Sequence, residues 1–159
     1  MKILILSLSL IICSCASSQK ETLTFKPVER TYRTEFVQIW RAAQLSLSKY
    51  PIQVNNMDAG ILETQFIKGN NKWSPPFIDN KDYNGNRYKI KIKIIRGLSN
   101  SKKSALKVSI LKIIQKKKDY FSKHERIPSD GLEEISLLYR IQRELQIDRA
   151  LERAARKQN

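Results

Sequence analysis

The chain contains little of what metal and redox sites are built from. It has two cysteines, Cys13 and Cys15, and a single histidine, His124. A Cys-x-Cys pair holds a metal only together with further Cys or His ligands. Because no other thiol is present, the sequence predicts no metal site and no bound cofactor.

Catalytic signatures are also missing. The five glycines form neither a phosphate-binding loop nor a nucleophile elbow around a serine. Asp58 and Glu63 could be considered as paired carboxylates, but the first lies in a predicted turn and the second on the polar side of a predicted strand. We interpret both as solvated residues and His124 as a loop residue, and we expect that the protein is not an enzyme.

Long apolar runs are absent except at the start of the chain. Residues 3–12 are almost wholly apolar, follow one positive charge at Lys2 and precede several small residues. At about 1.5 Å per residue such a run makes a helix of about 15 Å, half of the hydrocarbon core of a bilayer. Its length and flanks are typical of a secretory signal. An ordinary signal that is cleaved without lipidation stays open as an alternative, although no convincing Ala-x-Ala-like cleavage triplet follows.

The end of this run, Ile12-Cys13-Ser14-Cys15, resembles the lipobox of bacterial lipoproteins. Cys13 fits less well as the acceptor, because bulky Ile12 would then stand where a small residue is needed. The resemblance implies that residues 1–14 are removed and that Cys15 carries a diacylglyceryl thioether and an acylated amino group. Several acyl chains hold a protein firmly on a membrane without spanning it. Because Ala16 and not Asp follows, the sorting rule of enteric bacteria implies the outer membrane, on its periplasmic face.

The remaining chain predicts a flexible tether, residues 15–31, and one domain, residues 32–159. An apolar stripe at helical spacing predicts the first helix of the domain, with Thr34 as its cap and Pro51 beyond its end. The stripe consists of Phe36, Ile39, Trp40, Ala43 and Leu47. Residues 55–60, NNMDAG, then carry turn chemistry.

Strands follow the turn. Residues 61–67 alternate in polarity, and residues 88–95, YKIKIKII, alternate apolar side chains with Lys89, Lys91 and Lys93. After a predicted turn at 97–104, a third strand begins with Leu106, Val108 and Ile110, and its pattern slips at 111–114, which predicts a bulge or a stretch buried on both sides. These patterns predict an antiparallel sheet of three or more strands, with one face on the core and one face in water.

The last element is a predicted helix. Asp130 and Glu133 form a capping-box-like pair at its start, and Leu138, Ile141 and Leu145 give it an apolar stripe. Beyond Leu145 the stripe rotates, so either the helix bends or its last turns reach past the sheet. The fold class is therefore α+β, with an N-terminal helix, an antiparallel sheet and a long C-terminal helix packed on one face.

This order of elements resembles the helix-grip domains of BamC-like lipoproteins, a family associated with the outer-membrane β-barrel assembly machinery. The likeness covers roughly residues 30–148 and rests on FVQIWRAAQLSLSKYPIQV, DAGILETQF, the lysine-alternating strand and EEISLLYRIQREL. In those domains a helix leads into a strand through an Asp-x-Gly-like turn, here 58–60. The resemblance implies a non-enzymatic adaptor or accessory subunit among envelope proteins, with β-barrel assembly subunits as candidate partners. The chain has room for one such domain, whereas BamC carries two.

Two candidate surfaces follow from the patterns. The first is the predicted connection 69–87, which is longer than a strand pair needs and carries Trp73, Phe77 and Tyr83, aromatic residues that favour contact with a partner protein. Alternatively, this connection folds down and covers the sheet edge.

The second surface is a lysine-rich sheet face formed by Lys89, Lys91, Lys93 and Lys107. Together with the formal net charge of +15 of the chain, this surface predicts an anionic polymer or lipid head groups as the alternative ligand. A bland alternative is that the same lysines only blunt edge-to-edge aggregation and that part of the charge reflects biased composition. The face lacks the interleaved aromatics of a single-strand platform, so no nucleic acid is expected.

Overall fold

A computed structural model describes residues 26–69, 86–98, 104–117 and 123–158. These residues form seven strands and two helices. In chain order they are β1 (Val28–Tyr32), α1 (Phe36–Ser46), β2 (Ile52–Asn56), β3 (Ile61–Thr64), β4 (Ile67–Lys68), β5 (Asn86–Leu98), β6 (Ser104–Lys116), β7 (Glu125–Ile127) and α2 (Leu132–Gln158).

The strands form one antiparallel sheet in the order β1-β6-β5-β3-β2, with β4 beside β5 and β7 beside β6. The long pair β5 and β6 is its centre, and both helices contribute to a single apolar core on one face of it. The predicted α+β class, the N-terminal helix, the antiparallel sheet and the long C-terminal helix on the sheet are confirmed.

The core follows from the alternation of the two central strands. Ile90 and Ile92 of β5 and Val108 and Ile110 of β6 are completely buried, because a strand places every second side chain on the same face. Burying one such side chain contributes roughly 1.5–3 kcal/mol. The helices add Ile39, Trp40, Leu138 and Ile141 to the core, and the C-cap residue of α1, Leu47, is also part of it.

The first strand replaces part of the predicted tether. Residues 28–31 lie in β1, which pairs with β6 from Val28 opposite Ile110 to Tyr32 opposite Leu106. Tyr32 is buried, and its hydroxyl donates to the carbonyl of Leu138, 3.3 Å away. The tether prediction is therefore wrong for 28–31, because pairing with β6 orders this polar segment.

The predicted turn 55–60 is shorter than expected. Asn55 and Asn56 lie at the end of β2, and the turn itself spans residues 57–60. Gly60 has a positive φ of 65°, and a Cβ there would lie 2.3 Å from the carbonyl oxygen of Ile94. Only glycine fits this approach, which is closed by the Ile94 N–H donating to the Gly60 carbonyl at 2.8 Å.

The other strands begin and end at residues that differ from those predicted by the sequence periodicity. The strand predicted at 61–67 divides into β3 and β4, with Gln65 and Phe66 between them. The predicted turn 97–104 contains the end of β5 and the start of β6. Their register runs one to one from Asn86 opposite Lys116 to Leu98 opposite Ser104, so β6 has no bulge against β5 at 111–114.

The helix ends also differ from the predictions. The N-cap of α1 is Glu35, with no side-chain cap, and the Thr34 hydroxyl donates instead to Gln38 Oε1 at 2.5 Å. At the start of α2 the Leu132 N–H donates to Asp130 Oδ1 at 3.2 Å. Glu133 does not complete the predicted capping box, because its carboxylate pairs with a lysine inside the domain.

The rotated stripe in the second half of α2 does not face the core. From residue 146 to 157 every residue is exposed except half-buried Asp148. This half lies beside α1, where Arg41 Nη2 contacts Asp148 Oδ1 at 2.5 Å and Gln38 Nε2 donates to Glu152 Oε1 at 3.2 Å.

Candidate functional site

The predicted lysine face exists as a geometric unit. In the register of β5 and β6, Lys89, Lys91 and Lys93 point away from the helices, and Lys107 lies on the same side opposite Ile95. The inward neighbours of these residues form the core, so the four lysines are placed on the outer side by the pleat of the sheet.

Three of these lysines are held by carboxylates. Glu63 of β3 contacts Lys89 at 2.5 Å and Lys91 at 3.3 Å, and Glu29 of β1 contacts Lys107 at 2.6 Å. Among the described residues, Lys93 has no ion pair. The hydrogen bond from Lys89 is the chief reason why the pKa of Glu63 lies below its usual value, with the charges of both lysines adding to it. Glu63 is therefore a partner of the lysines, and Asp58, in the turn, does not pair with it.

The face is not purely polar. The guanidinium carbon of Arg87 lies 4.4 Å from the centre of the Phe66 ring, and Lys89 Nζ lies 5.1 Å from it. Phe66 keeps 37% of its surface exposed, and Leu111 and Ile113 on the same side of β6 are half-buried. A cation beside the face of an aromatic ring is attracted by the quadrupole of the ring. The outer face thus combines positive charge with accessible apolar surface.

A second cluster was missed by the sequence analysis because it is buried. Lys112 occupies an inward position of β6, and its side chain is only 2% exposed. Its Nζ lies 2.6 Å from Glu133 Oε2, and it also lies 4.3 Å from the centre of the Tyr88 ring. Lys112 lies two residues from each of the buried positions Ile110 and Ile114, and this spacing is the signal that could have identified it.

The other oxygen of Glu133 receives two tyrosine hydroxyls. Tyr50 donates to Glu133 Oε1 at 2.7 Å, and Tyr88 donates to the same atom at 3.4 Å. Burial, followed by the adjacent Glu133 charge, raises the pKa of Tyr50 far above its ordinary value. Tyr50 therefore stays a neutral hydrogen-bond donor, and Glu133 is satisfied at both oxygens.

The neighbouring Glu134 completes the cluster. Its Oε1 accepts from the backbone N–H of Lys112 at 3.1 Å, and its Oε2 accepts from the Ser129 hydroxyl at 3.1 Å. Burial raises the pKa of Glu134, with the hydrogen bonds opposing that shift. Because this pKa is higher in the folded state than in the unfolded chain, the stabilisation that this group gives is greatest at low pH and is lost as pH rises through its folded pKa.

Together these residues fix the first turn of α2 to β6. A buried ion pair is costly to desolvate and is sustained only when its remaining hydrogen bonds are made, as they are at Glu133. Each acid and base in the cluster is engaged with another member. The arrangement is therefore suited to holding α2 in register with β6.

The remaining predicted residues are placed as follows. His124 is exposed, and the described part of the chain contains no group of three or more metal-ligating side chains. Gly69 and Asn86 are joined by a backbone hydrogen bond of 3.2 Å, and Asn86 and Arg87 already belong to β5, so the predicted connection 69–87 is shorter than expected. Cys15, Trp73, Phe77 and Tyr83 lie outside the described residues.

Comparison with known proteins adds no assignment. No protein-family model matches the chain, and no curated protein matches it at a significant level. Within the described ranges, neither helix is long and apolar enough to cross a membrane.

Proposed function

We propose that this protein is a lipid-anchored component of the bacterial cell envelope, attached through Cys15 to the periplasmic face of the outer membrane. The observation that carries the proposal is the sequence Ile12-Cys13-Ser14-Cys15 at the end of the apolar run. The domain acts as a non-enzymatic adaptor or accessory subunit, and outer-membrane protein assembly is the process in which we place it.

The position of β1 limits the length of the tether between the lipid and the domain. The first strand begins at Val28, so residues 16–27 connect it to Cys15. Fully extended, such a segment spans at most about 40 Å, by the reach of about 3.3–3.6 Å per residue. The domain is then confined to a shell next to the membrane, where it meets envelope proteins.

The non-enzymatic part of the proposal rests on the sequence, which carries neither a phosphate-binding loop nor a nucleophile elbow. The buried ionisable groups have a structural role: Lys112 pairs with Glu133, and Glu134 accepts two hydrogen bonds.

The proposal is tested by affinity capture of the tagged, natively processed chain from membranes after mild cross-linking. We expect subunits of the β-barrel assembly machinery to be recovered, and we expect a Cys15→Ala form to lose them together with its membrane attachment. If the native chain is cross-linked only to itself or to unrelated proteins, the adaptor function is wrong.

The aromatic residues Trp73, Phe77 and Tyr83 are the proposed partner contacts, and a triple alanine variant tests them. It should keep its melting temperature and lose the captured proteins. A triple Arg149→Gln, Arg153→Gln, Arg156→Gln variant is the matched control and should retain them. Loss of folding in the alanine variant would assign the aromatics to the interior and refute the contact.

A further inference from the structure

The outer face of the sheet carries a large excess of positive charge. Strand registers place seven cations and two carboxylates on this side of the described strands. We call this surface the basic face. Its cations are Lys68, Arg87, Lys89, Lys91, Lys93, Lys107 and Arg126, and its carboxylates are Glu29 and Glu63.

The ion pairs do not neutralise the basic face. Glu63 serves two lysines at once, so its single charge balances only one of them. Lys107 and Glu29 are both well exposed, and exposed pairs are weak and exchange readily with competing ions. A net positive surface remains for an anionic partner.

The apolar part of the basic face identifies the kind of partner. Phe66 stands partly exposed between Arg87 and Lys89, with half-buried Leu111 and Ile113 nearby on the same side of the sheet. A soluble anionic polymer offers charge but little apolar surface. The boundary of a bilayer offers both, since phenylalanine and leucine side chains enter the boundary between head groups and acyl chains, and basic side chains bind anionic lipids.

We propose that the basic face docks onto anionic lipid head groups of the membrane that carries the chain. This inference extends the proposed function in one respect: the Cys15 anchor would make docking intramolecular and so raise the effective concentration of the membrane. The charge and the apolar surface of the basic face do not depend on the lipid anchor at Cys15.

The two partners in one ion pair give the sharpest test, because they predict opposite effects. Glu63→Gln removes a negative charge from the basic face and should strengthen binding to anionic vesicles about fivefold, whereas Lys91→Gln should weaken it about fivefold. A purely structural role for the pair would leave vesicle binding unchanged in both variants.

The binding measurement uses the chain from residue 15 onward with Cys15→Ser, so that no acyl chain contributes. Co-sedimentation is measured with vesicles of pure phosphatidylcholine and with vesicles of phosphatidylcholine mixed with phosphatidylglycerol. We expect binding only to the mixed vesicles, and we expect added salt to weaken it. Equal binding to both vesicles, or none to either, would overturn the inference.

A matched pair of triple variants separates the face from net charge. Lys89→Gln, Lys91→Gln, Lys93→Gln should reduce binding on the order of 100-fold, because each cation contributes about fivefold. Arg149→Gln, Arg153→Gln, Arg156→Gln removes the same charge from α2 and should reduce binding only a few-fold. Equal losses would show that the basic face has no special role.

Three further outcomes test docking on lipid. If the triple lysine variant does not fold, Lys93→Gln alone should still weaken binding, because Lys93 is exposed and has no ion pair among the described residues. If soluble polyphosphate binds the chain more tightly than mixed vesicles do at equal phosphate concentration, the partner is a polymer and the lipid inference is wrong. If the Cys15→Ser chain binds no vesicles while mass spectrometry shows that the native chain is lipidated at Cys15, docking is refuted and the proposed anchoring stands.

Discussion

Replacing Lys112 by Met tests whether the buried ionic cluster holds α2 on the sheet. Lys112 and Glu133 have side chains that are only 2% and 4% exposed, and their charged atoms lie 2.6 Å apart. Methionine keeps most of the volume of the side chain and removes the cation. Glu133 then remains as an unpaired buried charge, supported only by the hydroxyls of Tyr50 and Tyr88.

The expected loss follows from that environment. Removing one partner of a buried pair costs about 3–5 kcal/mol, and the two tyrosine donors place this case near the lower end. Since domains are stable by about 5–15 kcal/mol, the loss is a large fraction of the total. At about 4 °C per kcal/mol for a domain of this size, the melting temperature should fall by roughly 12 °C.

Urea unfolding of four chains measures the effect: the parent, Lys112→Met, Glu133→Gln and the double variant. The double variant should lose much less than the two single variants added together, because it removes the unpaired charge that each single change creates. A loss under about 1 kcal/mol for Lys112→Met would refute the reasoning, since removing one partner of a buried pair lowers the free energy of unfolding by more than that.

Three further predictions concern single positions. Trp40→Ala should cost about 3–5 kcal/mol in urea unfolding, since Trp40 is buried in the core, and a loss under about 1 kcal/mol would contradict that packing. Gly60→Ala should cost about 2 kcal/mol or more because of its positive φ and the close Ile94 carbonyl, whereas Gly97→Ala, which meets nothing within 4 Å, should be close to neutral. Burial raises the pKa of Glu134, so the parent loses stability as pH rises through that folded pKa. Glu134→Gln does not titrate and should therefore gain stability relative to the parent as pH rises in unfolding assays; a difference that stays constant with pH would contradict the raised pKa.

The parts of the fold that the sequence predicts are those where burial and pattern agree. In β5 every second residue from Ile90 to Ile94 is apolar and buried, so a period of two identifies both the strand and its lysine face. The apolar stripe of the first helix also predicts burial: Ile39, Trp40, Ala43 and the C-cap residue Leu47 are buried, and Phe36 is half-buried.

The missed strands lie where burial is slight. All five residues of β2 are exposed, and β1 has one buried residue, Tyr32. Their order comes from backbone hydrogen bonds to β3 and β6, which leave no mark on side-chain polarity. From the sequence, such a strand is predicted as a turn or a tether, because few of its side chains pack against the core and its polarity does not alternate clearly.

The buried cluster was missed for the opposite reason. A lysine at an inward strand position interrupts the apolar alternation, so Lys112 resembles a slip in the pattern. Its partners Glu133 and Glu134 are more than twenty residues away in the sequence, and at a helix start such residues ordinarily serve as caps. Only the packing of α2 on β6 brings them together.

The central claim is lipid attachment at Cys15, and mass spectrometry of the chain extracted from membranes tests it most directly. We predict a mature amino terminus at Cys15 that carries a diacylglyceryl group and an amide-linked acyl chain. A mature chain that begins at another residue, or a Cys15→Ala form that remains bound to membranes, would contradict the account.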